Sequence, residues 1–576
     1  MTGEERPGSP GWHSAVEAPL TVADASEVRW DAEADLVVVG YGGAGVAAAV
    51  EAAERGASVI AVDRYHGGGA TAMNGGVLYA GGGTSVQQEA GVEDTVEDMY
   101  RYLRRETEGV VSDRTLHRFC AESPEMVEWL KAHGVAFNSR VYWEKTSYPH
   151  SDYYLYHSDS CLAPEHAAVA KPAPRGHRVF MPAANTAVGY GVGLYYPLQA
   201  AAAGLGVRLW TKAECRQLVV DRHGHVLGVR VLHIPPRTMD AIEYERLAAK
   251  GTKYMLMFPP SFPGAGFANW RASRLWERAR AIERTGRVEC FIHARKGVCL
   301  STGGFIFNRP MVAHHAPAYV QGMPLGSPGD DGSGIRLGQT VGGAVARMNH
   351  VSAWRFINPP LAWAHGVIVD RRGERYVNEM LYGAAIGQKM CEERGGRAYL
   401  ILDQQLYDQA WQQVTRGKVL PFQKYPAMLA MRFGRRKART LAALAERCGF
   451  DPATLDRTVT RYNQAARGIV SDAFNKGADN MAVLERGPFY ALDMSIDAKL
   501  APLPTLTLGG LTVDEDTGAV LNSQGRAIPG LYAAGRAAVG ICSNLYVSGL
   551  SAADCIFSGR RVGAVMGQVV AEQTGT

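Results

Sequence analysis

An acid placed after a run of glycines is the chain's first chemical signature. Gly40-x-Gly42-x-x-Gly45 is followed by Asp63, 18 residues beyond Gly45. Glycines at that spacing permit a tight turn and let the backbone approach a pyrophosphate. A carboxylate about 20 residues further on can accept hydrogen bonds from a ribose 2′-OH and repels a 2′-phosphate. The chemistry implied is dinucleotide binding. It requires elements that hold these residues in place, and the flanking sequence supplies them. Leu36 to Val39 is wholly apolar, as a strand buried on both faces requires. Val46 to Glu54 is helix-forming, and the N-terminus of such a helix offers N–H groups and a positive dipole end to phosphates. Gly56 ends the helix, and Ser58 to Val62 forms a second apolar strand that Asp63 closes.

A second glycine-dense stretch follows. It runs Gly67-Gly68-Gly69-Ala70-Thr71-Ala72-Met73-Asn74-Gly75-Gly76, then Ala80-Gly81-Gly82-Gly83-Thr84. Such density is costly in chain entropy. It makes sense where backbone must wrap closely around a large flat ligand.

The bulk properties narrow the class. At 576 residues the chain should hold two or more domains. With 47% hydrophobic and 20% charged residues it reads as a soluble globular protein. The net charge of +5 is spread without long basic blocks, so nucleic acid is not implied. The 9 cysteines are scattered with no CxxC pair, which points to a reducing compartment and away from a disulfide framework or zinc site. Met1 to Val28 lacks a secretory pattern and reads as part of a disordered tail over residues 1–30. No apolar run reaches the roughly 20 residues needed to span a bilayer, so a cytoplasmic location is expected.

Four further stretches extend the pattern. Gly297 to Phe305 reads GVCLSTGGF, Leu508 to Thr512 reads LGGLT, Gly530 to Arg536 reads GLYAAGR, and Tyr546 to Gly563 reads YVSGLSAADCIFSGRRVG. Together with the glycine loops they resemble, from about Trp30 to Gly567 and in order, the FAD-binding family of fumarate reductases and 3-ketosteroid dehydrogenases. The resemblance implies an α/β fold: a Rossmann-like FAD-binding domain with an inserted α+β catalytic domain. Residues 31–308 and 488–576 would form the first, carrying an insert at 234–290, and residues 309–487 the second. It implies noncovalent FAD, since no His or Cys stands where covalent attachment would be expected. The cofactor residues carried over are Gly40, Gly42, Gly43, Ala44, Gly45, Asp63, Arg64, Gly69, Ala70, Thr71, Asn74, Gly75, Gly76, Thr302, Gly303, Gly304, Asp331, Ala534, Gly535, Arg536, Gly549, Leu550 and Ser551.

Along the chain, Thr95 to Phe119 has helical spacing, and Ser123 to His133 is a helix with Ser123 as its cap. Tyr142, Trp143, Tyr148, Tyr153, Tyr154 and Tyr156 cluster before Lys171-Pro-Ala-Pro-Arg-Gly-His-Arg178, where prolines rule out a helix. This region reads either as the wall of an apolar ligand pocket or as aromatic core beside a basic surface loop. Its LYH and KPAPRGHR pieces resemble the Δ4-(5α) branch of the ketosteroid enzymes. Tyr196 to Ala203 is a helix with Pro197 in its first turn, Val207 to Trp210 a strand, and Leu218 to Val231 a hairpin. The insert, with Tyr254, Trp270, Trp276 and several arginines, reads as a lid, an oligomer contact or a peripheral membrane foot. Asp330 to Gly334 leads a helix, Gly366 to Glu379 forms a hairpin, and residues 434–448 are basic and helical.

The family moves a hydride between carbon and flavin, and a proton at the neighbouring carbon. Fumarate-type members carry an arginine three residues after the glutamate of an RxxNE segment, and a His-His pair before a Gly-Gly. Here Tyr382 and Thr505-Leu506 stand at those places, so a dicarboxylate would meet too little positive charge. Tyr382 resembles the ketosteroid branch's tyrosine. Tyr546-Val547-Ser548-Gly549 resembles the Δ4-(5α) branch and lacks the proline of the Δ1 branch. The resemblance implies that Tyr546 and the Leu550 N–H polarise a ketone, while Ser548 and Tyr382 handle the proton. A tyrosine base would need its pKa lowered from about 10. The expected partners are a 3-ketosteroid or another polycyclic ketone and an external acceptor (quinone, redox protein or oxygen). Expected alternatives are Δ1 dehydrogenation, an ene-reductase or dehydrogenase of another polycyclic ketone, and a non-catalytic flavoprotein.

Overall fold

The computed structural model describes residues 14–150, 152–181, 190–255 and 264–574. Its largest sheet has nine strands. The main path runs Leu20–Val22, Ala213–Asp221, Val226–His233, Val288–Leu300, Ala32–Val39, Val59–Asp63 and Arg208–Thr211. Ala527–Ala533 adds to the far end of Val288–Leu300 in parallel, so Val288–Leu300 is paired along its whole length. Leu36, Val37, Val38, Ile60 and Ala61 are fully buried, as their unbroken apolar runs require.

Helix α1 (Gly43–Glu54) connects Ala32–Val39 to Val59–Asp63. Its alanine-rich surface is almost entirely buried. The C-terminal helix, Leu550–Thr574, lies along it and carries Gly559, Gly563 and Gly567 at intervals of four. A Cβ at these positions would stand 2.3 Å from Ala44 O, 2.7 Å from Ala48 O and 2.3 Å from Arg55 Cβ. The glycine ridge is therefore what lets the two helices approach backbone to backbone.

Between Val226–His233 and Val288–Leu300, which pair antiparallel, the chain makes two helices: α2 (Met239–Met255) and α3 (Ala265–Thr285). They share a separate small core of Tyr244, Leu247, Ala248 and Ala279, with Leu275, Trp276 and Ile282 against it. The inserted segment therefore ends near 287, not 290, because Val288 already pairs with His233.

A four-stranded antiparallel sheet runs Val367–Val369, Tyr399–Leu402, Phe489–Asp493, Arg435–Ala438. Its third strand in this order lies beyond residue 487, so the expected boundary there falls inside the sheet. A further sheet joins Val77–Tyr79, Gly176–Arg178, Leu155–Tyr156 and Val141–Tyr142.

Several sequence expectations are corrected. Residues 14–30 are not a disordered tail: Leu20–Val22 pairs with Val219–Asp221, and the Ser14 hydroxyl accepts from buried Arg336 at 2.5 Å. Residues 1–13 and 256–263 lie outside the described residues. Thr95 to Phe119 is two helices, Val96–Thr107 and Asp113–Ala121, the second restarted by a Ser112 cap. Ser123 is inside its helix, and its hydroxyl accepts from Gly81 N at 3.0 Å. The helix around Tyr196 begins at Val192, because Leu194 and Tyr195 are buried, and Pro197 lies within it. Arg435–Ala438 is a strand held by Phe489–Leu492, and the helix starts only at Leu441. Arg175, His177 and Arg178 are buried, so the basic surface loop does not exist. Arg175 instead makes a two-pronged pair with Asp94 at 2.9 and 2.7 Å.

Candidate active site

The first glycine turn stands at the carboxyl end of Ala32–Val39 and opens α1. Most of the cofactor residues expected from sequence converge there. Gly40 packs on the backbone of Ser301-Thr302, Gly43 N–H donates to Thr71 Oγ1 at 3.1 Å, and the Thr302 hydroxyl accepts from Gly334 N at 3.0 Å. Gly535 lies against Ala44 and Gly304 against Arg536. Two neighbouring acids tie this frame together. Asp330 accepts from Gly304 N at 3.1 Å and from Arg536 Nη2 at 2.7 Å, while Asp331 lies 3.3 Å from Arg64. Arg64 is further held by Glu214 at 3.2 Å and Glu283 at 3.6 Å, the latter contributed by α3.

Asp63 is more occupied than its sequence role suggests. Its Oδ2 accepts from Tyr41 N at 2.9 Å, and its Oδ1 from Tyr65 N at 2.8 Å and Gly67 N at 3.1 Å. A carboxylate has about four lone-pair sites, so Oδ2 retains capacity for a ribose hydroxyl.

The frame fits an FAD. A Cβ on Gly42 would meet nothing nearer than Gly68 O at 3.9 Å, so protein packing does not require glycine there. One on Gly69 would meet only Gly42 Cα at 3.8 Å, and side chains at either position would enter the space between them. Nη1 of the deeply buried Arg536 has no hydrogen-bond partner among the described residues. Asn74, Gly75 and Gly76 form the next wall: Gly76 N donates to Asn74 Oδ1 at 2.7 Å, and Tyr148 reaches Gly75 O at 2.5 Å.

A second group of residues gathers around the start of the C-terminal helix. Gly549 O accepts from Tyr79 N at 3.1 Å, which ties this turn to the strand Val77–Tyr79. Ser548 exchanges two bonds with Ser158: Ser548 N donates to Ser158 O at 3.1 Å and Ser158 Oγ donates to Ser548 O at 3.1 Å. Its own hydroxyl lies 3.2 Å from the Tyr156 hydroxyl. Tyr382 caps the helix Gly383–Glu393, and its N–H donates to Ser160 Oγ at 2.9 Å. Its ring lies against Trp354, with centroids 5.9 Å apart. The Tyr382 hydroxyl and Trp354 Nε1 are both buried, and neither makes a hydrogen bond of ordinary geometry among the described residues. Ser548 lies near enough to Tyr382 to oppose the rise of its pKa, without an aligned bond.

Electrostatics define what these hydroxyls do. Burial pushes Tyr382 well above 10, and the neighbouring Tyr546 and Tyr156 hydroxyls add to the rise. Tyr546 is pushed up to about 12, mainly by burial, and Tyr156 is raised for the same reason. The sequence-based requirement for a lowered tyrosine pKa is therefore not met by the protein's own neighbouring groups. All three are neutral at pH 7 and act first as donors. The Leu550 N–H also differs from expectation: it donates to Val547 O at 3.1 Å, and Gly549 N–H points at the Tyr546 hydroxyl at 3.5 Å. The turn that starts the helix consumes the donor expected to face a ketone.

The structure thus brings Tyr382, Ser548 and Tyr546 together and adds Tyr156, which the sequence placed only in an aromatic cluster. That cluster divides. Trp143 is 60% exposed, whereas Tyr148, Tyr154 and Tyr190 surround the Arg178 guanidinium at 5.5, 4.4 and 5.4 Å. Two surface clefts, about 270 Å³ beside Asp403 and Arg486 and about 430 Å³ beside Asp94 and Lys171, include none of these tyrosines.

With this geometry in place, similarity to known proteins fixes the class. The FAD binding domain family matches residues 35–549, and the chain belongs to that family. FAD is its cofactor, and it is an oxidoreductase of the type that acts on CH–CH bonds. A 3-oxo-5-alpha-steroid 4-dehydrogenase of Comamonas testosteroni is 38% identical, over 90% of this chain and 95% of that one. A 3-oxosteroid 1-dehydrogenase of Mycolicibacterium smegmatis is 27% identical, over 89% and 93%. The crystal structure of a 3-ketosteroid-Δ4-(5α)-dehydrogenase from Rhodococcus jostii RHA1, in complex with 4-androstene-3,17-dione, superposes with a TM-score of 0.78. It is 30% identical and covers 96% of this chain and 100% of that chain. Among the described residues no helix is long and apolar enough to cross a membrane.

Proposed function

We propose that the chain introduces a C=C bond next to the ketone of a 3-ketosteroid or similar polycyclic ketone, at the Δ4-(5α) position. The observation that carries this reading is the buried cluster of Tyr382, Ser548 and Tyr156, in which the Tyr382 hydroxyl and the adjacent Trp354 Nε1 have no hydrogen-bond partner among the described residues. Unsatisfied buried donors cost free energy unless a ligand meets them. Here the donors are neutral, and what they suit is the oxygen of a ketone.

When bound, FAD supplies the hydride acceptor. The chain's residues do the rest. Tyr546, held as a neutral donor, hydrogen-bonds the ketone oxygen and stabilises the charge that develops there. Ser548 Oγ accepts the proton from the carbon next to the ketone as it passes its own hydroxyl proton to the deprotonated form of Tyr382, which burial keeps scarce at pH 7, while the Tyr156 hydroxyl hydrogen-bonds Ser548. Tyr382, Trp354 and the surrounding apolar walls orient the ring system and exclude water.

The cofactor-binding unit is assigned to residues 31–308 and 488–576 and the catalytic unit to 309–487, with the strand Phe489–Asp493 counted with the latter. FAD is held noncovalently. Reoxidation uses an external acceptor, and the chain works in the cytoplasm.

The test is anaerobic mixing of the FAD-loaded protein with a 5α-reduced 3-ketosteroid and, separately, with a 4-ene-3-ketosteroid. Bleaching of the oxidised flavin band by the 5α compound alone is the expected result. Bleaching by the 4-ene compound alone moves the assignment to Δ1, the reaction named for the Mycolicibacterium relative. Bleaching by neither sends the substrate outside steroids.

A further inference from the structure

The helical pair α2–α3 has a root and a tip. At the root, Trp276 meets Tyr65 edge-on at 6.1 Å, Glu283 pairs with Arg64 and Arg287, and Glu245 pairs with Lys212 at 2.6 Å. These contacts fix that end of the pair to the loop after Asp63 and to the strand ends at Lys212 and Arg287. None of them involves Tyr382, Tyr546, Ser548 or Tyr156.

The tip combines exposed aromatic rings with positive charge, of which Arg274 lies 4.0 Å from Glu277 and Arg278 3.7 Å from Glu243, both pairs at the surface, while Lys250, Lys253 and Arg271 add to it. On α3, Ala268, Ala272 and Ala279 face inward and are buried. Phe267, Trp270, Arg271, Arg274 and Arg278 recur at helical spacing on the outer face, and all are exposed. Phe267 is 65% exposed and Trp270 54%, with their rings 5.9 Å apart. Between residues 247 and 276 the sequence has Lys250, Lys253, Arg271 and Arg274 and no acid.

We infer that this tip docks the protein on an anionic lipid bilayer. An aromatic pair flanked by Lys and Arg is the arrangement that partitions into a headgroup layer: rings enter the acyl boundary while cations remain at the phosphates. A second copy of the chain fits less well, because two such tips would bring like charges together. The inference stands on the tip alone. Combined with the proposed activity, it would place the enzyme where an apolar ring ketone and a quinone acceptor are both dissolved.

The experiment is flotation of the FAD-loaded full-length protein with phosphatidylcholine vesicles, with and without phosphatidylglycerol, at low and high salt. Binding to the phosphatidylglycerol vesicles alone, weakened by salt, is expected. Each basic side chain should contribute roughly fivefold in partitioning, so Arg271→Glu with Arg274→Glu should abolish flotation. Phe267→Ala with Trp270→Ala should reduce it roughly tenfold or more. Flavin spectrum and melting temperature should stay unchanged, since these side chains are exposed. The inference falls if the wild type stays unbound on anionic vesicles or if both double variants float like it. It also falls if duplex DNA is bound equally well, or if the variants instead dissociate an oligomer on gel filtration.

Discussion

Two stretches of the same short segment, Arg375–Glu379 and Tyr382, satisfy their polar groups in opposite ways. Glu379 is fully buried and every one of its bonds is met. Its Oε1 accepts from Ile368 N at 3.0 Å and Arg375 Nε at 2.9 Å, and its Oε2 from Arg375 Nη2 at 2.8 Å and Lys476 Nζ at 2.9 Å. Lys476 is completed by Gly366 O at 3.1 Å and the Tyr462 hydroxyl at 3.2 Å, and Arg375 also pairs with Asp472. Three residues on, Tyr382 is buried with its hydroxyl unmet. A complete charged network in a low-dielectric interior leaves no valence for a ligand. An incomplete neutral one is a site waiting for a partner. The charged cluster therefore specifies the fold of the segment, and the neutral cluster is where chemistry is to be sought.

The comparison breaks most sharply at Glu379. Replacing it by Gln leaves buried Lys476 without its anion and Arg375 with Asp472 alone, which should cost about 3–5 kcal/mol of stability. The melting transition should fall steeply or the protein fail to accumulate. The pH dependence has a defined sign. Burial alone would raise the Glu379 pKa, but Arg375 and Lys476 hold it down to about 2, below its ordinary value of 4.5. A carboxylate depressed by folding contributes stability that is complete above about pH 4.5 and is lost as pH falls toward 2. The wild type should lose that contribution through this window in acid unfolding, and the Gln variant should not.

At Tyr382 the effect should be on rate and not on folding. Tyr382→Phe removes a buried hydroxyl that has no hydrogen-bond partner among the described residues, so the melting temperature should hold or rise slightly. The rate of flavin reduction by ketone should fall about 10²–10⁴-fold if this hydroxyl moves the proton. A stopped-flow rate near that of the wild type would remove Tyr382 from the mechanism.

The pH profile sharpens the same point. The tyrosines are raised above their ordinary value, so deprotonated hydroxyl is scarce at pH 7 and grows about tenfold per pH unit. Flavin reduction should rise from pH 6 to 9 without reaching a plateau. The rise should vanish in Tyr382→Phe. Raised tyrosines stabilise the fold fully below their unfolded value of about 10, and that contribution is lost as pH climbs past it. The rate should therefore be read below pH 10. A plateau below pH 8 would assign the proton to another group.

The two halves of the molecule were unequally legible in the sequence. The cofactor frame was readable because its residues act through local geometry. Gly40, Gly42, Gly45 and Asp63 sit in one strand-helix-strand unit, and their spacing alone positions them. The reacting side was readable only where resemblance supplied it, at Tyr382, Tyr546 and Ser548. Tyr156 escaped because a two-residue strand sets its place, stitched to residues 141–142 and 176–178, and nothing in its neighbours announces that pairing. The edge strand Leu20–Val22 was hidden by an acidic, alanine- and proline-rich surrounding that reads as tail. Arg435–Ala438 reads as part of a basic helix, and only its partner strand Phe489–Asp493, some fifty residues later, makes it extended. The Glu283 side of the Arg64 cage depends on how α3 folds back, which periodicity does not report.

The smallest effect should come from Tyr156, where the two kinds of region meet. Its ring is fully buried, like the residues around Glu379, yet its hydroxyl is met by a single neutral group among the described residues, Ser548 at 3.2 Å. It touches Ser548 and acts through it, so it is a positioning residue. Tyr156→Phe keeps the ring and its contact with Tyr148 at 6.3 Å. What is lost is one neutral hydrogen bond, worth about 1 kcal/mol, or roughly fivefold in rate. A purely structural role would lower stability and leave the rate per folded enzyme intact. A positioning role should leave ketone binding and melting temperature unchanged while the reduction rate falls roughly fivefold. The double variant Tyr156→Phe with Ser548→Ala should then be no slower than Ser548→Ala alone, because the hydroxyl that Tyr156 orients is gone. If the two losses multiply instead, Tyr156 acts on the substrate by a route of its own, and the neutral cluster extends one residue further than Ser548.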